Sequence, residues 1–378
     1  MSQGSKRELI ETVRPRYRRA GKKEKGAILN EFVAITGYHR KYAIRVLNTR
    51  VYKKPFKRPG PQRIYQGEVV TALEYIWEIC GQICSRRLHP FLPEMVKVLE
   101  RNHEIYLSAE TKKLLLQMSR SSIDRCLSAA YQVHPHGLST TKPGTLLKKS
   151  IPVRTYTPWN EEKPGFMEVD LVAHCGDTAE GKFVNTLTSV DISTGWTALR
   201  PVFPRNRHTV LEAIQTMQKS LPFSLLGLDS DNGSEFINVL LFQYCQFQKI
   251  TFTRSRPYHK NDQAHVEQKN WSVVRHFVGY DRFDTEAEYN LLQSIYDDLN
   301  LYVNFFQPVL KLVSKEIVEG RTIKHYDTAA TPYQRVLASR EIPFDVKARL
   351  TNLYVHLNPV TLLASINQKV HQLCSLSR

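Results

Sequence analysis

Between residues 166 and 278 the sequence changes repeatedly between short apolar runs and amphipathic segments, and this order limits the folds open to the chain. Strands are predicted at residues 166–172, 183–190, 196–202, 224–228 and 250–253, and helices at 206–220, 236–247 and 262–278. The strand segments are short and rich in β-branched and aromatic residues, whereas the helical segments repeat apolar residues every three or four positions. The pattern predicts an α/β domain built on one mixed, five-stranded sheet.

Three strands followed by helix, strand, helix, strand and helix is the order of an RNase H-like domain, which we place at residues 165–306. A turn at residues 191–195 joins the second and third strands as an antiparallel hairpin. A helix at 286–306 is expected to pack on this domain. Residues 307–378 contain a predicted helix at 345–357 but no recognisable fold, and we interpret them as a small DNA- or partner-binding unit.

Three acidic residues lie where an α/β sheet collects its functional groups. Asp170 ends the first strand, Asp231 follows the fourth strand, and Glu267 lies in the first turns of the last helix. Asn232-Gly233, directly after Asp231, permits a sharp turn of positive φ. Carboxylates at such positions can meet at one edge of the sheet. A group of this kind suits Mg²⁺ or Mn²⁺, two of which can drive in-line phosphoryl displacement.

Each acid alone also fits a structural role. Asp170 fits the cap of a strand end, Asp231 fits a simple turn, and Glu267 fits a solvated helix face. The occurrence of all three in this order favours a shared site. Asp229 is the alternative to Asp231, because alternation puts both on the same side of an extended segment. The Asn-Gly pair after Asp231 favours Asp231.

The positive charge of the chain is confined to its first part. The formal net charge is +17, and residues 1–164 carry all of it, which predicts a polyanion-binding region. Residues 1–50 contain two short helices around Thr36-Gly37, the helix-turn-helix pattern of DNA-binding domains. Residues 67–132 are predicted as a second helical domain with a similar unit at its end, in which Ser119 is the N-cap. Proline-rich basic linkers are predicted at 51–66 and 133–164.

The cysteines and the N-terminus argue for an intracellular protein. The 6 cysteines are dispersed, so we expect free thiols in a reducing compartment. Cys80 and Cys84 have no spacing typical of a zinc module, and the pair His174-Cys175 is unexplained by any motif. The N-terminus is polar and basic, and no apolar run reaches about 18 residues, so neither a signal peptide nor a membrane span is expected.

On these residues, positions 165–280 resemble the integrase core of retroviral integrases and of bacterial insertion-sequence transposases, the D,D-35-E class. Sixty residues separate Asp170 from Asp231, and 35 separate Asp231 from Glu267. The motif Arg256-Pro257-Tyr258 and Gln263 match the active-site loop of that class. Trp271 and Val274 depart from it, because many members carry lysines there.

The resemblance implies an enzyme that cuts and joins DNA. Asp170, Asp231 and Glu267 would be its catalytic residues and would bind two Mg²⁺ or Mn²⁺ ions. Water would cut the end of a mobile element, and the released 3′-OH would then attack target DNA. The implied partners are the element's terminal repeats, target DNA and further copies of the chain, on the nucleoid in the bacterial cytoplasm.

Candidate DNA contacts lie in both helix-turn-helix units and around the catalytic helix. They are His39, Arg40, Lys41, Arg45, Arg120, Ser121, Arg125, Tyr258, Lys260, Gln263 and Lys269. Two other functions remain open from the sequence. One is a DNA-binding regulator or inactive remnant with an integrase-like core. The other is an RNase H-like nuclease without strand transfer.

Overall fold

The computed structural model of the chain describes residues 2–49, 64–128, 130, 163–255, 263–318 and 321–377. Most of both predicted linkers lies outside these ranges. The chain forms two compact units, Met1–Ile64 and Tyr65–Arg378. None of the helices in the described ranges offers a stretch long and apolar enough to span a lipid bilayer.

The first unit contains three helices around a small apolar core. They are α1 (Gln3–Arg19), α2 (Lys22–Thr36) and α3 (Arg40–Asn48). Gly37 ends α2 with a φ of 65°, a left-handed conformation that glycine adopts without a Cβ clash. The two helices and the turn between them thus occur where the sequence predicts them. Their role in reading DNA stays a prediction.

The second unit begins with four helices. They are α4 (Glu68–Ile79), α5 (Ser85–Arg101), α6 (Ala109–Leu116) and α7 (Arg120–Leu127). Ser119 caps α7 as predicted, because its side chain accepts a hydrogen bond from the Ser122 amide. A short turn separates α6 from α7, as in the predicted unit.

A mixed, five-stranded sheet follows, as predicted. Its strands are β1 (Phe166–Ala173), β2 (Asn185–Asp191), β3 (Thr197–Val202), β4 (Gly227–Ser230) and β5 (Thr251–Arg254). The spatial order is β3-β2-β1-β4-β5. β2 is antiparallel to β1 and β3, whereas β1, β4 and β5 are parallel. This order and these directions are those of the RNase H-like fold.

Helices cover both faces of the sheet. One face packs on α8 (Arg207–Ser220) and α9 (Val239–Phe247). The other face packs on a helical rod and on α12 (Glu286–Phe306). The rod consists of α10 (Ala264–Lys269), a π-helical segment (Asn270–Arg275) and α11 (His276–Val278). The sequence predicted one uninterrupted helix here.

The helices of residues 67–132 share a single core with the end of the chain. That end folds into the hairpin β6 (Leu312–Val318) and β7 (Arg321–Tyr326), followed by α13 (Pro332–Ala338), α14 (Phe344–His356) and α15 (Pro359–Leu376). Trp77 of α4, Tyr302 of α12 and Ile366 of α15 belong to the same buried cluster. The separate domain predicted for 67–132 is therefore wrong, because its apolar faces are buried against α12 and α15.

Two asparagines of α12 cover the free edge of β3. The Asn304 amide accepts from Thr197 N at 2.8 Å and donates to Thr197 O at 2.7 Å. Asn300 makes the same pair of bonds with Leu199, at 2.9 and 3.2 Å. Side-chain amides thus take the place of a neighbouring strand, and they satisfy backbone groups that an edge strand otherwise leaves open.

We expect Asn304→Ala to lower the free energy of unfolding by about 2 kcal/mol, because Thr197 N–H and C=O would stay buried without partners. Denaturant unfolding would measure the change. Gln293→Ala is the control on the same helix, since Gln293 donates its hydrogen bond to the exposed Asp297. Equal losses in the two variants would contradict the proposed role of Asn304.

Candidate active site

The pairing of β1 with β4 brings two of the predicted acids together. Parallel pairing runs from Phe166 opposite Gly227 to Val169 opposite Ser230. The next positions in this register are Asp170 and Asp231. Both side chains are partly exposed at this edge of the sheet, whereas the strands below them are buried. The strand pairing therefore places the carboxyl groups of Asp170 and Asp231, which are remote in sequence, at the same edge of the sheet.

The pKa of Asp170 is raised further than that of Asp231. Burial, then the charges of Asp231 and Glu267, raise the pKa of Asp170 to about 7. Leu171 N donates to Asp170 Oδ1 at 2.8 Å, and Asn270 Nδ2 donates to Oδ2 at 2.7 Å; both bonds lower that pKa. Asp170 thus interacts electrostatically with both of the other predicted site residues.

Asp231 is held by its own turn. Gly233 N donates to Asp231 Oδ1 at 2.9 Å, and burial raises the pKa of Asp231 to about 6. The positive φ that Asn232-Gly233 permits is not used, because neither residue has one. Glycine is needed at 233 for space instead: a Cβ there would lie 2.7 Å from the Glu235 carboxyl group and 2.9 Å from Asp231 Oδ1.

Asp229, the alternative second acid, has a different environment. It lies within β4, is fully buried, and accepts a 2.5 Å hydrogen bond from Thr253 Oγ1 on β5. Its register partner on β1 is Glu168. Asp229 therefore faces the interior of the fold, whereas Asp231 lies past the end of the strand and reaches solvent.

Glu267 lies in α10, and a second glutamate fixes the start of that helix. Glu168 is buried, and its Oε2 accepts from His265 N at 3.0 Å and from Val266 N at 3.1 Å. These amides belong to the first turn of α10, whose N–H groups have no partner within the helix. A carboxylate is favoured at this end of the helix dipole. Glu168 therefore fastens the helix of Glu267 to strand β1.

Glu168 and Asn270 are site residues that our sequence analysis missed. Glu168 precedes Asp170 by two positions on a strand, so alternation puts both on one face. Asn270 follows Glu267 by three positions on a helix, so they are surface neighbours. These spacings were available as signals. The π-helical segment that begins at Asn270 has no comparable sequence signal, and such segments often occur at functional sites.

The charges of Asp231 and Glu267 act on Asp170, but the three acids do not form a ready metal site. Within the described ranges, no group of three or more His, Cys, Asp or Glu side chains is placed to hold a metal ion. Glu267 is exposed on α10 while Asp170 and Asp231 lie at the strand edge. Like charges repel, so carboxylates in this position need a cation to approach further. The carboxylate oxygens of the three acids, and the raised pKa values of Asp170 and Asp231, fit a hard divalent ion.

The DNA contacts that the sequence predicts near Glu267 are Tyr258, Lys260, Gln263 and Lys269. Tyr258 and Lys260, like Arg256 and Pro257, lie outside the described residues. Gln263 is buried at the start of α10, and its amide points to Asp229 O at 3.5 Å. Lys269 is also buried, and burial followed by repulsion from Arg87 lowers its pKa to about 7.

The predicted contacts in the helix-turn-helix units all lie on the surface. The exposed residues are His39, Arg40, Lys41, Arg45, Arg120, Ser121 and Arg125. His39 was predicted within the second helix but is the N-cap of α3, where its ring nitrogen accepts from Lys41 N. Exposure leaves these side chains free to reach phosphates or bases.

The unexplained pair His174-Cys175 belongs to the core. His174 is fully buried, lies 2.7 Å from Thr186 Oγ1 through Nε2, and packs its ring on Phe283. Burial lowers the pKa of His174 to about 3, so the ring is neutral near pH 7. The residue has the environment of a packing histidine.

Comparison with known proteins gives one strong match. The chain is 41% identical over 337 residues to a protein of Sinorhizobium fredii (strain NBRC 101917 / NGR234) described as uncharacterized protein y4rM. The match spans 89% of this chain and 96% of the relative. No protein-family model matches the sequence.

Among solved structures, two retroviral integrase catalytic core domains are similar at low scores. The BIV integrase core has a TM-score of 0.31 at 15% identity and covers 50% of this chain and 98% of its own. The HTLV-2 integrase core, solved with magnesium in a dimeric form, has a TM-score of 0.29 at 14% identity, covering 39% and 90%. The fold class follows from the strand order, not from these scores.

We expect Glu168→Gln to loosen the start of α10, because an uncharged acceptor binds the two amides less strongly than a carboxylate does. Amide hydrogen exchange should become faster at His265 and Val266 than in the wild type. Glu212→Gln, at an exposed position of α8, is the control and should leave these amides unchanged. Unchanged exchange in Glu168→Gln would show that the carboxylate does not hold the helix.

The raised pKa of Asp170 predicts a pH-dependent stability. The folded protein binds this proton more tightly than the unfolded chain, so the stabilising contribution is full below about pH 4 and is lost as the pH rises towards 7. Without divalent ions, Asp170→Asn should therefore raise the melting temperature more at pH 8 than at pH 5. An equal gain at both pH values would exclude a raised pKa.

Proposed function

This chain belongs to the same protein family as y4rM of Sinorhizobium fredii, and for it we propose the activity of a DDE-type DNA transposase. The reaction is metal-dependent cleavage at the ends of a mobile element, followed by transfer of the freed strand into target DNA. Asp170, Asp231 and Glu267 are the catalytic residues of this proposal.

One observation carries the proposal. At the edge of an RNase H-like sheet, the parallel pairing of β1 with β4 places Asp170 next to Asp231, and burial, followed by the charges of Asp231 and Glu267, raises the pKa of Asp170. A buried carboxyl group whose pKa is also raised by neighbouring acids at a strand edge is typical of a functional site.

The residues present suit two divalent ions. Asp170 would contact both, Asp231 would hold one, and Glu267 would hold the other. Each oxygen of Asp170 accepts one protein hydrogen bond, and a carboxylate oxygen has capacity for a further contact. Bound Mg²⁺ or Mn²⁺ would supply Lewis-acid activation and charge neutralisation for phosphoryl transfer.

The chain's own residues supply position. Asn270 orients the Asp170 carboxyl group, and Glu168 keeps the helix of Glu267 over the strand edge. The attacking oxygen comes from water in the first step and from the DNA 3′-OH in the second. No covalent protein intermediate is required, so no nucleophilic side chain has to be found at this site.

DNA is the partner that this function requires. The exposed basic residues of the first unit and of α7 would bind phosphates or bases of the terminal repeats, and Tyr258, Lys260 and Gln263 would lie near the cut. Two element ends must be brought together, so a multimer on DNA is proposed, in the bacterial cytoplasm at the nucleoid.

The decisive experiment compares the wild type with Asp231→Asn on DNA that carries the terminal repeats flanking the gene, with and without Mg²⁺. We expect cleavage and joining to fall by about 100-fold or more in the variant while DNA binding is kept. Asp177→Asn, at an exposed position after β1, is the control and should retain both steps.

Each other outcome selects a different function. Full activity of Asp231→Asn would remove this residue from the site. Binding by the wild type without any metal-dependent cleavage would indicate a regulator or an inactive remnant. Cleavage without joining would indicate a nuclease.

A further inference from the structure

A pocket of about 500 Å³ lies beside the catalytic helix, within the second unit. The start of α5, the helix α10 and the end of the β6–β7 hairpin enclose it. Its lining residues are Cys84, Arg86, Arg87, Ala264, Gln268, Lys269, Ser272, Val309, Leu310 and Tyr326. Three of these are cationic and none is acidic. The pocket is therefore a concentration of positive charge without a matching carboxylate in its lining.

Lys269 is the most buried of the three basic residues that line the pocket. Its side chain is only 6% exposed, although an ammonium group is costly to remove from water. Across the ranges that the structure describes, its Nζ forms no hydrogen bond and no ion pair. Buried charges in proteins are normally paired. An unpaired buried ammonium that lines an open pocket indicates a ligand of opposite charge.

Arg87 increases the need for such a ligand. Its Nε donates to Pro308 O at 2.6 Å, and Nη2 donates to Gln307 Oε1 at 3.4 Å. Both acceptors are neutral, so the position of the guanidinium group is fixed while its charge is not balanced. Gln307 is in turn fixed by Cys80 O, to which its Nε2 donates at 2.6 Å.

Arg86 lies at the open side of the same pocket. Its side chain is exposed, with the guanidinium carbon 4.7 Å from the centre of the Tyr326 ring. A cation over an aromatic face is held in place while its N–H groups stay available to a further partner. Gln268 and Ser272 add neutral donors from the helical rod.

We propose that this pocket binds a phosphate group and, resting on the proposed transposase function, that the group is a backbone phosphate of the bound DNA. Arginine and lysine side chains that converge without a carboxylate are suited to phosphate recognition. Lys269 follows Glu267 by two positions, so the two side chains point to different faces of the rod. The bound phosphate is thus one that anchors the DNA, not the one that is attacked.

The first test uses inorganic phosphate alone, by thermal unfolding at constant ionic strength. Phosphate should raise the melting temperature of the wild type but not that of Lys269→Met, which keeps the side-chain volume without the charge. Lys269→Met should also be more stable than the wild type when phosphate is absent, because it removes an unpaired buried charge. Lys219→Met, at an exposed position of α8, should respond like the wild type.

The second test measures DNA binding in an Asp231→Asn background, so that the result does not depend on catalysis. The slope of log K against log[salt] should become less steep by about 0.9 for Lys269→Met, because one phosphate contact is lost. Arg86→Ala, at the pocket rim, should show the same loss if Lys269→Met folds poorly. Lys219→Met should keep the wild-type slope.

The outcomes separate this proposal from the function on which it rests. Phosphate stabilisation with an unchanged salt slope would overturn the assignment to DNA. No phosphate effect and no change of slope would overturn the pocket itself, even if strand transfer is observed. Loss of the contact in a chain that binds DNA without cutting it would support the pocket and count against the transposase.

Discussion

The Glu168 carboxylate is the contact on which the arrangement of the site depends. It is buried between strand β1 and the first turn of α10, and it accepts two backbone amides of that helix. Asp170 lies two residues along the same strand, and Glu267 lies one residue after Val266. A single side chain thus sets the distance between two acids that are remote in sequence. The third acid is placed independently, by the pairing of β1 with β4.

Hydrogen bonds hold the carboxyl groups of the site in place, whereas their like charges repel one another. Hydrogen bonds from Leu171, Asn270 and Gly233 fix the carboxyl groups of Asp170 and Asp231. Burial, and then the charges of Asp231 and Glu267, raise the pKa of Asp170. Such a site is only partly ionised near neutral pH without a cation. The stability of the fold and the affinity of the site for divalent ions therefore both depend on the protonation of these carboxyl groups.

The sequence predicted what depends on local pattern. The succession of strands and helices along the chain, and from it the mixed sheet, follow from apolar periodicity. The Ser119 cap follows from cap chemistry. Neighbouring residues determine both kinds of signal. The burial of Lys269, the π-helical segment at Asn270 and the shared core of Trp77, Tyr302 and Ile366 depend on partners far along the chain. A periodic apolar face shows that a helix is buried, but it does not show which element the helix packs against. For this reason residues 67–132 were predicted as a separate domain.

The asparagine pair on α12 has a consequence for assembly. The backbone N–H and C=O groups of Thr197 and Leu199 on strand β3 are already bonded to the side chains of Asn304 and Asn300. An intruding strand from another molecule would have to displace these amides before it could extend the sheet. The β3 edge of the sheet therefore resists pairing with a strand of another molecule, both in an oligomer and in a cross-β aggregate. Any association between copies of the chain would have to use other surfaces.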